Sequence, residues 1–381
     1  MTSEYRMCSR TVMDTTDPAI TFDADGVSNH FWHAQELIGR LVKPGASGEV
    51  ELQQLAEQIR EEGKDKPYDC VMGVSGGVDS SYVGVMARDL GLRPLAVHLD
   101  NGWNTDTAVS NIHSLLEKLD IDLYTHVVNW DQFRDLQRSV FLSSLPNIEA
   151  VTDHAIKALL YQTADRFGLR YVLSGSNANT EAILPEAWGY NADDSRILLA
   201  AKKRFGDPSI GIDTYPHMTF FDYFTYIYVK KIRFIPLLNY GDFNKARALD
   251  IMKQRIGYVP YARKHGESRF TRFFQEYYLP EKYGFDKRKA HLSSLIASGQ
   301  MNREEALAEL EKPLYDPISK MIDVEYCTRK LGFSESDWAE IMATPIAYPE
   351  DFPNNQRLIG SAVKVKGVLR KAAALTTRGK S

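Results

Sequence analysis

Between residues 68 and 174 short apolar runs alternate with stretches of helical spacing. Residues 68–74, 95–99, 123–128 and 170–174 read as strands, because each is a brief run rich in Val, Leu or Tyr bounded by turn residues. Helices are expected at 80–90, 105–119, 131–143 and 152–167. In the second of these, Val109, Ile112, Leu115, Leu116 and Leu119 fall on one face. This β-α-β-α-β order predicts an α/β fold built on a doubly wound parallel sheet. Ahead of it, residues 1–50 read as irregular, with turns at Asp17-Pro18 and Asp25-Gly26, a linker over 41–50, and a polar helix over 49–63.

Past residue 200 the texture changes. Phe220, Phe221, Tyr223, Phe224, Tyr226 and Tyr228 crowd one segment, the most lipid-like of the chain. At ten residues it is too short to span a bilayer and reads as core. Residues 258–291 interleave aromatic and basic side chains, and 300–345 read as helical, starting near Asn302. The basic residues at 368–381 read as a frayed tail. Composition narrows the class. A chain of 381 residues, 44% hydrophobic, can bury a large core. A net charge of −4 gives no global field for gripping nucleic acid. Three scattered cysteines, Cys8, Cys70 and Cys327, make no disulfide framework. The N-terminus lacks a signal-peptide core, so a cytoplasmic protein without membrane insertion is expected.

The chemistry concentrates in Gly73-Val74-Ser75-Gly76-Gly77-Val78-Asp79-Ser80-Ser81, which follows a strand and opens a helix. A glycine-rich turn there aims backbone N–H groups at an anion, aided by the helix dipole. Gly76 and Gly77 permit close approach of phosphate, and Ser75, Ser80 and Ser81 offer hydroxyl donors. It is neither a Walker A loop, lacking Gly-Lys-Ser/Thr, nor a dinucleotide fingerprint. Asp79 would repel bare phosphate, but it fits if Mg²⁺ bridges it to pyrophosphate.

The Ser75-Gly76-Gly77-Val78-Asp79-Ser80 string resembles the PP-loop of N-type ATP pyrophosphatases. That resemblance implies ATP and Mg²⁺ as cofactors. It also makes Asp100, at the end of the second strand, a candidate for the adenosine wall, beside its plain reading as a turn. Gly175, Asn177 and Glu181, after the fourth strand, are similar to the superfamily's third active-site loop. Glu181 is then a Mg²⁺ ligand or simply an N-terminal helix charge.

Residues 263–275 and 277–295, with Arg6-Met7-Cys8 and 13–18, closely resemble bacterial N-acetyl sugar amidotransferases of lipopolysaccharide O-antigen and nonulosonic-acid biosynthesis. The resemblance runs from about residue 6 to about 350. It implies an enzyme that adenylates the acetamido oxygen of a nucleotide-linked N-acetyl sugar and replaces it with ammonia, giving an acetamidino group. A separate glutaminase subunit would supply the ammonia. Lys264 is expected at the phosphates, with Arg269, Lys287 and Arg288 as further cations and His265 and His291 as acid–base candidates or structural histidines. A basic run is equally the signature of a solvated helix face.

The family's N-terminal Cys-x-x-Cys pairs reduce here to Cys8, with Thr11, Ser28 and Phe31 at the other positions. No structural zinc is expected, and the zinc-ribbon-like remnant is expected to hold by packing of Val12, Ile20, Phe22 and Phe31. The domain expectation is 1–48 for this module, 49–250 for the ATP pyrophosphatase domain and 251–381 for a helical substrate or partner region. Two other readings keep the loop: a tRNA-modifying enzyme, disfavoured by the acidic balance and few cysteines, and a non-catalytic nucleotide-binding subunit.

Overall fold

The computed structural model describes residues 4–189, 192–261, 266–356 and 358. Five strands form one sheet: β1 (Cys70–Gly73), β2 (Pro94–Asp100), β3 (Leu123–Val127), β4 (Tyr171–Ser174) and β5 (Arg233–Pro236). Every pairing is parallel, in the order β3-β2-β1-β4-β5. The chain winds outward from β1 to β3 and then returns to lay β4 on the other side of β1. That reversal makes the C-terminal edge between β1 and β4 the switch point where open α/β sheets take ligands. β5 was not expected. It is four residues long, ends in Pro236 and follows an aromatic run that hides its alternation.

Helix α1 (Asn29–Leu41) is another departure, since residues 1–50 read as irregular. Ser28 caps it by accepting from the Phe31 N–H, and only Ala34 is fully buried, so no apolar stripe announces it. Helix α2 (Gly45–Gly63) starts earlier than its polar pattern suggested and shrinks the linker expected over 41–50 to a few residues. Helices α3 (Val78–Asp89), α4 (Asp106–Leu119), α5 (Trp130–Leu142) and α6 (Ala150–Arg166) fall where the spacing places them. On α4 the face is narrower than expected, and Val109 is exposed.

The remaining helices are α7 (Ala178–Glu181), α8 (Ser195–Phe205), α9 (Phe220–Phe224), α10 (Lys245–Ile256), α11 (Arg269–Phe273), α12 (Leu279–Tyr283), α13 (Lys287–Ala297), α14 (Arg303–Glu311), α15 (Pro317–Leu331) and α16 (Glu335–Ala343). The segment read as core at 220–229 is only half so. Tyr223, Tyr226 and Ile227 pack inward, whereas Phe221, Phe224, Tyr228 and Val229 are exposed.

Each sheet face has its own core, because side chains alternate along a strand. Met72, Ala96 and Leu173 point into a cluster with residues of α2, α3, α4 and α10. Val71, Val97 and Val172 point the other way, into a cluster that α5 and α6 share with the C-terminal helices. Phe141 on α5 is its hub, meeting Phe270, Phe273, Tyr278, Phe333 and Trp338 with ring centroids 5.1 to 6.4 Å away. Residues between Phe270 and Phe352 are therefore part of the main core rather than an appended lobe.

At the N-terminus, the Cys8 Sγ accepts the N–H groups of Thr11 (3.4 Å) and Ser28 (3.2 Å), at two of the positions considered for zinc. His30 pairs with Asp17 (2.5 Å), and His33 is exposed. Val12 is buried against Leu292 and Ala306, while Ile20, Phe22 and Phe31 are half-buried. Among the described residues no group of three His, Cys, Asp or Glu side chains could hold a metal ion. Among the same residues no helix is long and apolar enough to cross a membrane.

Candidate active site

A cleft of about 660 Å³ opens at the switch point. Its base is the turn between β1 and α3. Gly76 carries φ +78°, and a Cβ there would stand 2.6 Å from the Ala108 carbonyl oxygen, so the position admits only glycine without strain. The turn is cross-braced: Gly77 N–H donates to the Ser75 Oγ (3.2 Å), and the Ser80 Oγ donates to the Gly77 carbonyl (3.3 Å). From behind, the hydroxyls of Tyr258 (3.1 Å) and Tyr261 (3.0 Å) donate to the Gly76 carbonyl. Burial pushes the Tyr261 phenol up to about 12, so it stays a donor at neutral pH.

Ser75, Gly77, Val78, Asp79 and Ser80 line the cleft, whereas Gly76 and the fully buried Ser81 support it from behind. Gly175, at the end of β4, also lines it. A Cβ there would meet the Asp79 backbone carbon at 3.0 Å, so the β4 loop and the β1 loop touch. Glu181, at the end of α7, lines the cleft on the same side. Asn177 does not: it caps α7, its Oδ1 accepting from the Thr180 N–H (2.9 Å). Asp100 takes the turn reading, its Oδ1 accepting from the Gly102 N–H (3.0 Å), and it is Asn101 and Asn104 that face the cleft. His98, another lining residue, donates from Nδ1 to the Val74 carbonyl (2.8 Å) and accepts from the Asn104 amide at Nε2 (2.9 Å), which makes it a strut.

The C-terminal segment supplies the facing wall: Glu267, Ser268, Phe270, Thr271, Gln275 and Lys287. It is zipped to the exit of β2. Thr105 N–H donates to the Glu267 carbonyl (2.9 Å), and Arg269 N–H donates to the Trp103 carbonyl (3.0 Å). Arg269 itself is not in the cleft. Its guanidinium pairs with the buried Asp323 (3.4 Å) and lies 4.5 Å over the Tyr326 ring. Arg272 and the Tyr315 hydroxyl bind the same carboxylate, so the expected phosphate ligand belongs to a buried ionic cluster. Arg288 pairs with Asp286 (2.8 Å) and donates to the Lys312 carbonyl (2.9 Å), again away from the cleft. His291 is not among the lining residues either, and Lys264 and His265, like the tail at 368–381, lie outside the described residues.

The sequence left four charged lining groups unmarked: Lys245, Glu149, Asp153 and, as a side chain facing Gly77, Glu267. The Asp153 side chain is exposed to the cleft, and enclosure by the cleft walls pushes its carboxyl up to about 7. Glu149 and Asp193 add to the rise, and Lys287 opposes it. The described lining thus carries five carboxylates (Asp79, Glu149, Asp153, Glu181, Glu267) against two lysines. A triphosphate enters such a field with divalent cations, and Asp79 and Glu181 beside the loop are the hard oxygen donors Mg²⁺ prefers alongside phosphate.

Comparison with known proteins agrees with this division. Residues 51–184, from α2 through Glu181, match the family described as NAD synthase. Residues 267–366 match the family described as the C-terminal domain of WbpG-like lipopolysaccharide biosynthesis proteins. No curated protein matches the chain. Among solved structures, the NH₃-dependent NAD synthetase from Campylobacter jejuni, in complex with the nitrate ion, is 13% identical. It covers 79% of this chain and 99% of its own, with a TM-score of 0.32. NMN synthetase from Francisella tularensis is 18% identical over 58% of this chain and 100% of its own, with a TM-score of 0.30. The chain thus carries, in order, a PP-loop domain of NAD-synthase type and a WbpG-like C-terminal domain, a pairing consistent with the amidotransferases of lipopolysaccharide biosynthesis.

Proposed function

We propose that this protein is an ATP-dependent amidotransferase that converts the acetamido group of a nucleotide-linked N-acetyl sugar to an acetamidino group. The observation that carries the reading is that one cleft has the NAD-synthase-type loop as its base and the WbpG-like segment as its facing wall. An amide oxygen is a poor leaving group. Its attack on the α-phosphate of ATP expels pyrophosphate and leaves an adenylated imidate, from which nitrogen can displace AMP. The chain's part is positioning and charge stabilisation. The turn at 75–80 would hold the pyrophosphate end through backbone N–H groups and hydroxyls, and Lys245 would neutralise part of its charge. Asp79 and Glu181 would hold Mg²⁺, which lowers the charge on pyrophosphate.

No cysteine of the described residues lies in the cleft to release ammonia from glutamine there. All three cysteines are buried: against the lift of burial, the Cys8 thiol is held low by the Ser28 and Thr11 groups that hydrogen-bond its Sγ, but it lies outside the cleft, while burial pushes the Cys70 and Cys327 thiols well above the usual range. Neither can serve as the thiolate nucleophile of a built-in glutaminase. A separate glutaminase subunit is the proposed source, with free ammonium as its substitute in vitro.

The test is AMP formation from ATP, Mg²⁺ and ammonium with a panel of UDP- and CMP-linked N-acetyl sugars, repeated with tRNA. Sugar-dependent AMP and pyrophosphate are expected. AMP that depends on tRNA, or ADP as the product, would sink the reading.

A further inference from the structure

We propose that the aromatic face of residues 220–229, with the lysines that follow it, docks this protein on an anionic membrane surface, lying on the leaflet without spanning it. The inference is independent of the reaction proposed above. Helix α9 (Phe220–Phe224) runs on as a π-helical turn over Thr225–Val229, so the two form one short rod. One side of the rod belongs to the core: Tyr223 and Tyr226 meet the buried Tyr161 ring at 5.7 and 5.3 Å. The other side carries Phe221, Phe224, Tyr228 and Val229, exposed from 47% to 71%, so each leaves about half or more of its surface to water. The Phe224 and Tyr228 rings lie 4.7 Å apart, and Phe221 stands one turn before Phe224, which makes the three a continuous patch. Scattered exposed apolar residues need no explanation, but a contiguous aromatic face marks an interaction surface.

The charges around the patch choose its occupant. The chain leaves the rod through Lys230, Lys231 and Arg233, all exposed, and Asp222 is the one acid between Thr219 and Arg233. Asp222 is engaged in the capping box of α9, where it accepts from the Thr219 N–H (2.8 Å). Lys230 pairs with Asp165 (2.9 Å) at the end of α6, and the exposed Arg166 and Arg170 follow, Arg170 paired with Glu62 (3.4 Å). Five cations thus stand against three carboxylates, Asp165, Asp222 and Glu62. A second copy of the chain would bring the same positive groups together across a two-fold axis, which disfavours self-association through this face. Aromatic rings flanked by lysine and arginine suit the boundary between lipid headgroups and acyl chains, where the rings settle and the cations attract anionic lipid.

The backbone adds an independent sign. Lys230 N–H donates to the Thr225 carbonyl (2.9 Å) and Ile232 N–H to the Tyr226 carbonyl (2.9 Å), so the chain folds back over the end of the rod with Lys231 at φ +58°. Helices that end this way usually place glycine there, because an L-residue is strained in the left-handed region. Lysine in that position keeps a cation at the rim of the aromatic patch at some cost in fold stability, the pattern expected where a side chain serves a surface function. Arg233 opens β5, and in an all-parallel sheet the strand starts lie on the edge opposite the cleft. Docking through this patch therefore leaves the mouth of the cleft open to solvent.

Co-sedimentation of the full chain with vesicles tests the proposal, using phosphatidylcholine alone and phosphatidylcholine mixed with phosphatidylglycerol. Binding to the mixed vesicles is expected, weakening as salt is raised, with little binding to phosphatidylcholine alone. Lys231→Gly relaxes the left-handed backbone and removes one charge, so it should lower the partition coefficient about fivefold while melting no lower than wild type. Phe221→Ser combined with Phe224→Ser should lower it about tenfold or more, with melting near wild type because neither side chain belongs to the core. If that double variant does not fold, Lys231→Gly carries the test alone. A wild type that ignores the mixed vesicles, or binding that neither set of substitutions alters, would overturn the proposal. So would a wild type that light scattering shows as a dimer and a Phe221→Ser/Phe224→Ser variant that it shows as a monomer, which would give the face to a second copy.

Discussion

At the scale of single residues, Gly76 is the most constrained position of the turn between β1 and α3. A Cβ at Gly76 meets the Ala108 backbone and forces a left-handed φ on an L-residue. Gly76→Ala should cost about 2–4 kcal/mol in urea unfolding and sharply weaken Mg-ATP binding by calorimetry. Asp79→Ala should leave the melting curve close to wild type while removing most pyrophosphate release. Unchanged turnover in that variant would overturn the metal role proposed for it. Asp153 carries a pH signature of its own. An unfolded Asp titrates near 3.9, whereas the folded group holds its proton to about 7. Between those values the native state binds more protons than the unfolded state, so stability falls as pH rises and the loss is complete above pH 7. Asp153→Asn should therefore melt higher than wild type at pH 8 and show no such advantage at pH 3.5.

At the scale of elements, the cluster of Arg269, Arg272 and Tyr315 around Asp323 ties α11 to α15. Asp323 is 1% exposed, so Asp323→Ala leaves two guanidinium groups without their shared carboxylate and should cost about 3–5 kcal/mol in urea unfolding. Arg269→Ala should leave Mg-ATP affinity within about twofold, because the side chain points away from the cleft. The same cluster marks where sequence reasoning stops. Strands β1 to β4 and helices α3 to α6 were legible because a buried strand and a half-buried helix leave different periodicities. The PP-loop was legible because its glycines and serines are contiguous. Arg269 looked like a phosphate ligand because nothing in its neighbourhood reveals that Asp323, on a helix formed much later in the chain, takes its charge. Glu149 and Asp153 drew no assignment from the sequence. Their like-charge spacing was the available signal, and only the fold showed that this face lines the cleft. Helix α1 and strand β5 were missed for want of pattern, one having a single fully buried residue, Ala34, and the other being only four residues long.

At the scale of the whole molecule, the two family-matched segments are not independent. Phe141 from the first packs against Phe270, Phe273, Tyr278 and Trp338 from the second, inside one apolar cluster. Calorimetric unfolding should give a single transition whose van't Hoff and calorimetric enthalpies agree, and a chain ending before residue 267 should not melt cooperatively. Two resolved transitions would contradict the shared core.

The short backbone zipper between Trp103–Thr105 and Glu267–Arg269 has an evolutionary corollary. Main-chain bonds place few demands on side-chain identity, so descendants can remodel the far wall while keeping the same backbone seam against the loop half. Change would then be confined to the cleft-facing side chains beyond residue 267, because Phe270, Phe273, Tyr278 and Trp338 must still fit Phe141.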